Sequence, residues 1–238
     1  MIKVNDLKVK LFADGADLPT MLEMARKPHI QGLTTNPTLM RKSGVKDYKQ
    51  FAKSVLAEIK DKPISFEVFS DDFDEMISQG MEIASWGRNV NVKIPITNSS
   101  GKSTETVVKY LSDQGVTLNV TAILTIEQVS AVVESINQDS RAFISVFAGR
   151  IADTGRDPLP LMKKSLEIMQ VKPNTELIWA SPRELLNVIQ ANVIGCHVIT
   201  ATTDILMKLD LIGKDLSQYS LETVKMFRDD ALASGYSI

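Results

Sequence analysis

Apolar positions along this chain follow two patterns. Short runs rich in Val, Ile, Phe and Ala occupy residues 9–13, 30–34, 64–69, 90–96, 116–120, 142–147, 176–180 and 197–200. Runs of this length and composition, bounded by polar or turn-forming residues, predict β-strands. Longer amphipathic stretches lie between them, at 19–25, 48–59, 72–86, 103–114, 126–136, 159–169, 183–191 and 203–209, with a last one at 216–233. In 48–59 the apolar residues are Phe51, Val55, Leu56 and Ile59, which is helical spacing.

Strict alternation of strand and helix implies parallel strands. The expected fold class is therefore α/β, a (β/α)8 TIM barrel with an additional C-terminal helix, and residues 1–238 read as a single domain. Eight such units suit a compact barrel, typically about 250 residues long. A doubly wound open sheet competes with it, but more often carries a glycine-rich phosphate loop after its first strand. Here that turn is Phe12-Ala13-Asp14-Gly15-Ala16-Asp17, without a GxGxxG pattern.

Composition narrows the chemistry. Of 238 residues, 27 are Lys or Arg and 29 are Asp or Glu, so no large basic footprint for nucleic acid is expected. No apolar run reaches the ~20 residues of a membrane helix, and the start of the chain lacks a signal-peptide core. A cytoplasmic protein is the expectation. One cysteine (Cys196) and two histidines (His29 and His197) leave little material for a zinc site or a serine–histidine triad. Enzymatic chemistry here would rest on Lys, Asp, Glu, Thr and Arg.

In a barrel the active site gathers at the C-terminal strand ends. Strand 1 ends at Asp14, strand 2 runs into Thr35-Asn36-Pro37, strand 3 carries Glu67 and strand 4 carries Lys93. Strand 5 carries Asn119 and Thr121 on one face, two residues apart. Lys93 stands in Val92-Lys93-Ile94-Pro95-Ile96, where a charged amine is costly unless partnered. Desolvation favours the neutral amine, which attacks carbonyls and forms a Schiff base. Alternatively, Lys93 is ion-paired to Asp14 or Glu67, or reaches out of the barrel mouth. Asp14 and Glu67 are candidates for the proton transfers of Schiff-base chemistry. Thr121 could hold a water and Asn119 a substrate hydroxyl. Arg150 and Arg183 are read as ending strands 6 and 7 and, with Ser145 and Ser181, form a candidate phosphate clamp; rim salt bridges are the alternative. Cys196, His197, Trp86 and Trp179 read as packing residues.

Taken together, these segments resemble the transaldolase family, and in particular its small transaldolase and fructose-6-phosphate aldolase-like subgroup. The carrying motifs are Gly32-Leu33-Thr34-Thr35-Asn36-Pro37-Thr38, Val92-Lys93-Ile94-Pro95-Ile96-Thr97, Asn119-Val120-Thr121-Ala122, Ser145-Val146-Phe147-Ala148-Gly149-Arg150-Ile151, and Ser181 with Arg183, along with Asp14 and Glu67. The resemblance implies that Lys93 forms the Schiff base and that Asp14, Glu67 and Thr121 share its catalysis. It implies that Thr35, Asn36, Asn119, Ser145, Phe147, Arg150, Ser181 and Arg183 bind substrate. The implied reaction moves a dihydroxyacetone unit from fructose 6-phosphate or sedoheptulose 7-phosphate to erythrose 4-phosphate or glyceraldehyde 3-phosphate, with no metal or organic cofactor.

Glu67 and Phe147 stand where the related aldolases resemble one another in having Gln and Tyr, which favours transaldolase. Gly15 replaces a usual Thr or Ser, and Pro182 a usual Phe, which bears on the substrate. The alternatives are a fructose-6-phosphate aldolase, a relative acting on another ketose, and a sugar-phosphate-binding barrel without catalysis. Small members resembling this chain often form pentamer-based rings through C-terminal helices, so a pentameric or decameric homo-oligomer is expected. Sugar phosphates are the expected partners, with neither nucleic acid nor membrane.

Overall fold

A computed structural model describes residues 3–237. Met1, Ile2 and Ile238, the outermost residues of the expected domain, lie outside the described residues. The strands are β1 (Lys10–Asp14), β2 (Ile30–Thr34), β3 (Ile64–Glu67), β4 (Val90–Pro95), β5 (Leu118–Ile123), β6 (Ala142–Val146), β7 (Thr175–Trp179) and β8 (Val198–Thr202). The helices are α1 (Leu18–Arg26), α2 (Pro37–Lys42), α3 (Tyr48–Glu58), α4 (Phe73–Ser85), α5 (Glu105–Asp113), α6 (Ile126–Ser135), α7 (Ala148–Asp153), α8 (Leu159–Met169), α9 (Leu186–Val193), α10 (Thr203–Leu206) and α11 (Leu216–Ala233). Short 3-10 turns occupy Val4–Asp6 and Met207–Leu211.

All neighbouring strands pair in parallel, and β1 pairs with both β2 and β8, closing the barrel in chain order. The expected (β/α)8 barrel with a C-terminal helix is the observed fold. Helix starts are set locally. Asp17, Asn36, Asp47, Asp72, Thr125 and Asp215 each accept a hydrogen bond from the backbone N–H three residues on, capping α1, α2, α3, α4, α6 and α11. No helix among the described residues is long and apolar enough to cross a membrane.

Several boundaries differ from those expected. Helices α2 and α7 were not foreseen, because six residues are too few to show a period. As a result Arg150 does not end strand 6 but sits on α7, and Arg183 lies in the turn between β7 and α9. β5 runs on to Ile123, three residues past its expected end at 120.

Strand alternation sorts the side chains. Leu11, Ala13, Val92, Ile94, Val120, Ile144, Leu177, Trp179 and Ile199 face the helices and join the main core. The opposite faces line the barrel interior. Low in it, Phe12, Phe143, Ile178 and Val198 form a separate apolar plug, with Phe12 edge-on to Phe143 at 5.9 Å. Gly32 has no side chain there because a Cβ would lie 2.5 Å from the Phe12 ring. Above the plug the inward residues turn polar. This layering puts the polar groups at the C-terminal mouth.

Candidate active site

The mouth opens into a cavity of about 680 Å³. Asp14, Asn36, Glu67, Lys93, Asn119, Thr121, Ser145, Phe147, Arg150, Ser181 and Arg183 all line it. Eleven of the twelve residues singled out from the sequence thus share one space. Thr35 does not: it is fully buried and its hydroxyl donates to the Ser65 carbonyl at 2.8 Å.

Lys93 is only 6% exposed. The β3–β4 register puts Glu67 beside it, and the β4–β5 register puts Asn119 on its other side. Its Nζ lies 2.9 Å from Glu67 Oε2 and donates to the Thr35 carbonyl at 2.9 Å. The ion pair with Glu67, left open by the sequence, is therefore present. It leaves the amine inside the cavity rather than reaching out of the mouth.

Asp14 ends β1 across the mouth. Burial pushes its carboxyl above the usual range; the Lys93 charge and a hydrogen bond from Thr34 at 2.8 Å oppose that rise without cancelling it. Thr34 in turn meets the Thr200 hydroxyl at 2.5 Å. The sequence assigned no role to this Thr200–Thr34–Asp14 chain. Inward parity at strand ends is the signal that points to it.

A second polar chain crosses the barrel. Ser145 Oγ donates to Asn119 Oδ1 at 2.7 Å, and Asn119 Nδ2 donates to Ser65 Oγ at 3.0 Å. The Ser145 proton is thus committed to Asn119, while Ser145 lines the same cavity as the arginines it was expected to accompany. Above it, the buried Thr121 hydroxyl has no hydrogen-bond partner among the described residues. A buried hydroxyl left so is costly unless water or ligand fills its bonds. Nearby backbone is strained: Ala122 and Ser181, both lining the cavity, have φ of 62° and 60°.

The two arginines are held differently. Arg183 Nε donates to Asp153 Oδ1 at 2.9 Å, and its NH1 donates to Ser181 Oγ at 2.9 Å. Arg150 lies with its guanidinium carbon 5.8 Å from the centre of the Phe147 ring. Asp153 was missed because α7, which carries it, was missed. Asn36 uses its side-chain oxygen to cap α2, accepting from Leu39 N–H at 2.9 Å. Lys42, at the end of α2, adds a fourth basic side chain to the wall, after Lys93, Arg150 and Arg183. No group of three or more His, Cys, Asp or Glu side chains among the described residues is arranged to hold a metal ion.

A closed parallel barrel with lysine, carboxylates and arginines gathered at its C-terminal mouth has the layout of a barrel enzyme. Residues 11–237 match the family described as Transaldolase/Fructose-6-phosphate aldolase. A probable transaldolase of Thermoanaerobacter sp. (strain X514) is 32% identical over 231 residues, covering 97% of this chain and 100% of that protein. One from Sulfurihydrogenibium sp. (strain YO3AOP1) is 34% identical over 205 residues, 84% of this chain and 88% of that one. One from Methanococcus maripaludis (strain C7 / ATCC BAA-1331) is 32% identical, covering 84% and 89%. The chain belongs to the transaldolase/fructose-6-phosphate aldolase family.

Proposed function

We propose that this protein is a transaldolase that moves a dihydroxyacetone unit between sugar phosphates through a Schiff base on Lys93. The observation that carries the proposal is Lys93 itself, a buried amine in a cavity, 2.9 Å from one carboxylate and facing a second.

Lys93 Nζ attacks the C2 carbonyl of a ketose phosphate. The carbinolamine hydroxyl leaves as water, with a proton relayed from Glu67 through a water held by Thr121. The iminium draws in the electron pair of the C3–C4 bond. Asp14 takes the C4 hydroxyl proton as that bond breaks, and the aldose phosphate departs. A raised pKa suits this task, since the carboxyl must also return the proton when a new aldehyde is attacked. Asn36 and Asn119 hold the hydroxyls of the three-carbon enamine. Arg150, Arg183 and Ser181 anchor the phosphate, and this remote binding energy orients the carbonyl against Lys93. The scheme uses side chains alone, so activity is expected to survive chelators. Phe147 on the cavity wall offers no hydroxyl to protonate the enamine, which favours transfer over release of free dihydroxyacetone.

Borohydride reduction in the presence of fructose 6-phosphate tests this. The expected product is a three-carbon adduct on Lys93, found by peptide mapping. Erythrose 4-phosphate added before reduction discharges it. An unlabelled Lys93 with every ketose phosphate tried would refute the assignment.

The same proposal covers assembly. No side chain of α11 is buried, and Val224, Met226 and Phe227 lie more than half exposed. A homo-oligomer joined through this helix would cover them. Sedimentation at the mass of one chain across micromolar concentrations would refute it.

A further inference from the structure

We propose that Tyr48 is a positioning residue: its hydroxyl holds the backbone of Glu67 so that the carboxylate meets Lys93. The proposal rests on the acid–base reading of Glu67 given above.

The barrel has a seam at this point. β2 and β3 pair only through Leu33–Ile64 and Thr34–Ser65. The last backbone bond across it runs from Thr35 N–H to the Ser65 carbonyl, at 3.1 Å. In a parallel ladder alternate residues turn N–H and C=O to the same neighbour. Glu67, two residues beyond Ser65, therefore offers both groups towards β2. β2 has already ended there, and the chain has turned into α2. Without another partner, Glu67 would have neither backbone bond on that side.

Tyr48, the first residue of α3, supplies both. Its hydroxyl oxygen accepts the Glu67 N–H at 2.8 Å and its proton goes to the Glu67 carbonyl at 2.7 Å. On the other side of β3, Val68 N–H donates to the Lys93 carbonyl at 3.1 Å. Glu67 is thus pinned from both sides, which fixes the direction of its Cα–Cβ bond and the 2.9 Å approach of Oε2 to Lys93. The phenol ring is itself caged. Phe66 stands 6.4 Å from it, Phe69 5.5 Å and Trp86 5.8 Å, all between ring centres. Burial pushes the hydroxyl above its ordinary pKa, so it stays protonated and keeps donating throughout the neutral range.

Positioning and plain stabilisation give different results in a double-mutant cycle. Tyr48→Phe keeps the ring and its cage and removes only the hydroxyl. The expected effect is a fall in kcat of about ten-fold with KM within about two-fold, since misplacing a reacting group by an ångström costs up to about a hundred-fold. In a Glu67→Gln background the same change should cost less than about two-fold, because the group it aims is no longer ionisable. Val188→Ala is the control: it opens a cavity under α9, on the far side of the closed barrel from β3, lowers the melting temperature and leaves kcat within about two-fold.

Equal losses from Tyr48→Phe in both backgrounds, or an unaltered kcat, would overturn the proposal while leaving the Glu67 assignment standing. Full turnover in Glu67→Gln alone would overturn the acid–base reading, and this proposal with it. Should Tyr48→Phe fail to fold, ring-fluorinated tyrosine at position 48 replaces it. Its stronger donor and weaker acceptor should alter kcat in the wild-type background only.

Discussion

Gly149 lies so close to Ser181 that a Cβ on the glycine would stand 1.6 Å from the Ser181 carbonyl oxygen. This approach seats the β7–α9 turn over the start of α7 and so sets the Arg183 guanidinium above the cavity. Gly149→Ala must push the turn away. A loss of about 1–3 kcal/mol is expected, as for other overpacked sites. KM for a ketose phosphate should rise at least about ten-fold, with little change for an unphosphorylated ketose. Denaturation midpoints and kinetics with both substrates check this. A variant with native KM would show that the turn has room to move.

If Arg183 anchors the substrate phosphate as proposed, Asp153 competes with that phosphate for it. Its carboxylate takes the Nε–H, and the guanidinium in turn holds the Asp153 carboxyl below the usual range. Asp153→Asn removes a negative charge from the rim of an anion site. KM for the phosphorylated donor should fall about three-fold at low ionic strength, with a steeper dependence on salt. A rise in KM at every salt concentration would instead make Asp153 an orienting support for Arg183.

Asp14, the proposed acid–base group, is buried at a cost to the fold. Burial raises its pKa in the folded chain. A group raised on folding contributes stability below its unfolded pKa, near 3.8, and loses that contribution as pH rises through its folded value. Asp14→Asn should therefore raise the melting temperature at neutral pH, with the gain vanishing in acid. It should also lower turnover about 10²–10⁴-fold, the usual worth of a general acid–base group. Lys93→Met, by contrast, should remove turnover by about 10⁴-fold or more, the scale of losing a nucleophile. A destabilised Asp14→Asn at neutral pH would mean that the charge is a net structural asset.

His197 gives the opposite pH dependence. Its Nδ1 accepts the Leu177 N–H at 2.9 Å, which requires that nitrogen to be unprotonated. Burial, more than the Lys10 charge, lowers its pKa in the fold below the ordinary 6.5, against the pull of Glu176. Its contribution is present above pH about 6.5 and is lost as the pH falls towards the folded value. The melting temperature should drop between pH 7 and 5, less steeply in His197→Asn. Equal slopes for the two proteins would assign the drop to other groups, His29 first among them.

The sequence by itself determined the barrel and most of its mouth. Eight apolar runs alternating with helical ones admit few parallel arrangements, and strand parity sends Asp14, Glu67, Lys93, Asn119 and Thr121 inward once the barrel closes. Both facts depend on short-range periodicity, which a single chain displays. Tertiary structure alone decided which groups pair. Helices α2 and α7 are too short to show a period, so Arg150 and Asp153 could not be placed beforehand. Arg183 finds Asp153 across 30 residues, Ser145 finds Asn119 across 26, and Tyr48 finds Glu67 across 19. Such contacts leave no periodic trace in the chain. Closing the barrel brings Ser145 to Asn119 and seats Tyr48 against the end of β3, where buried polar groups must be satisfied, while Arg183 meets Asp153 on the exposed rim.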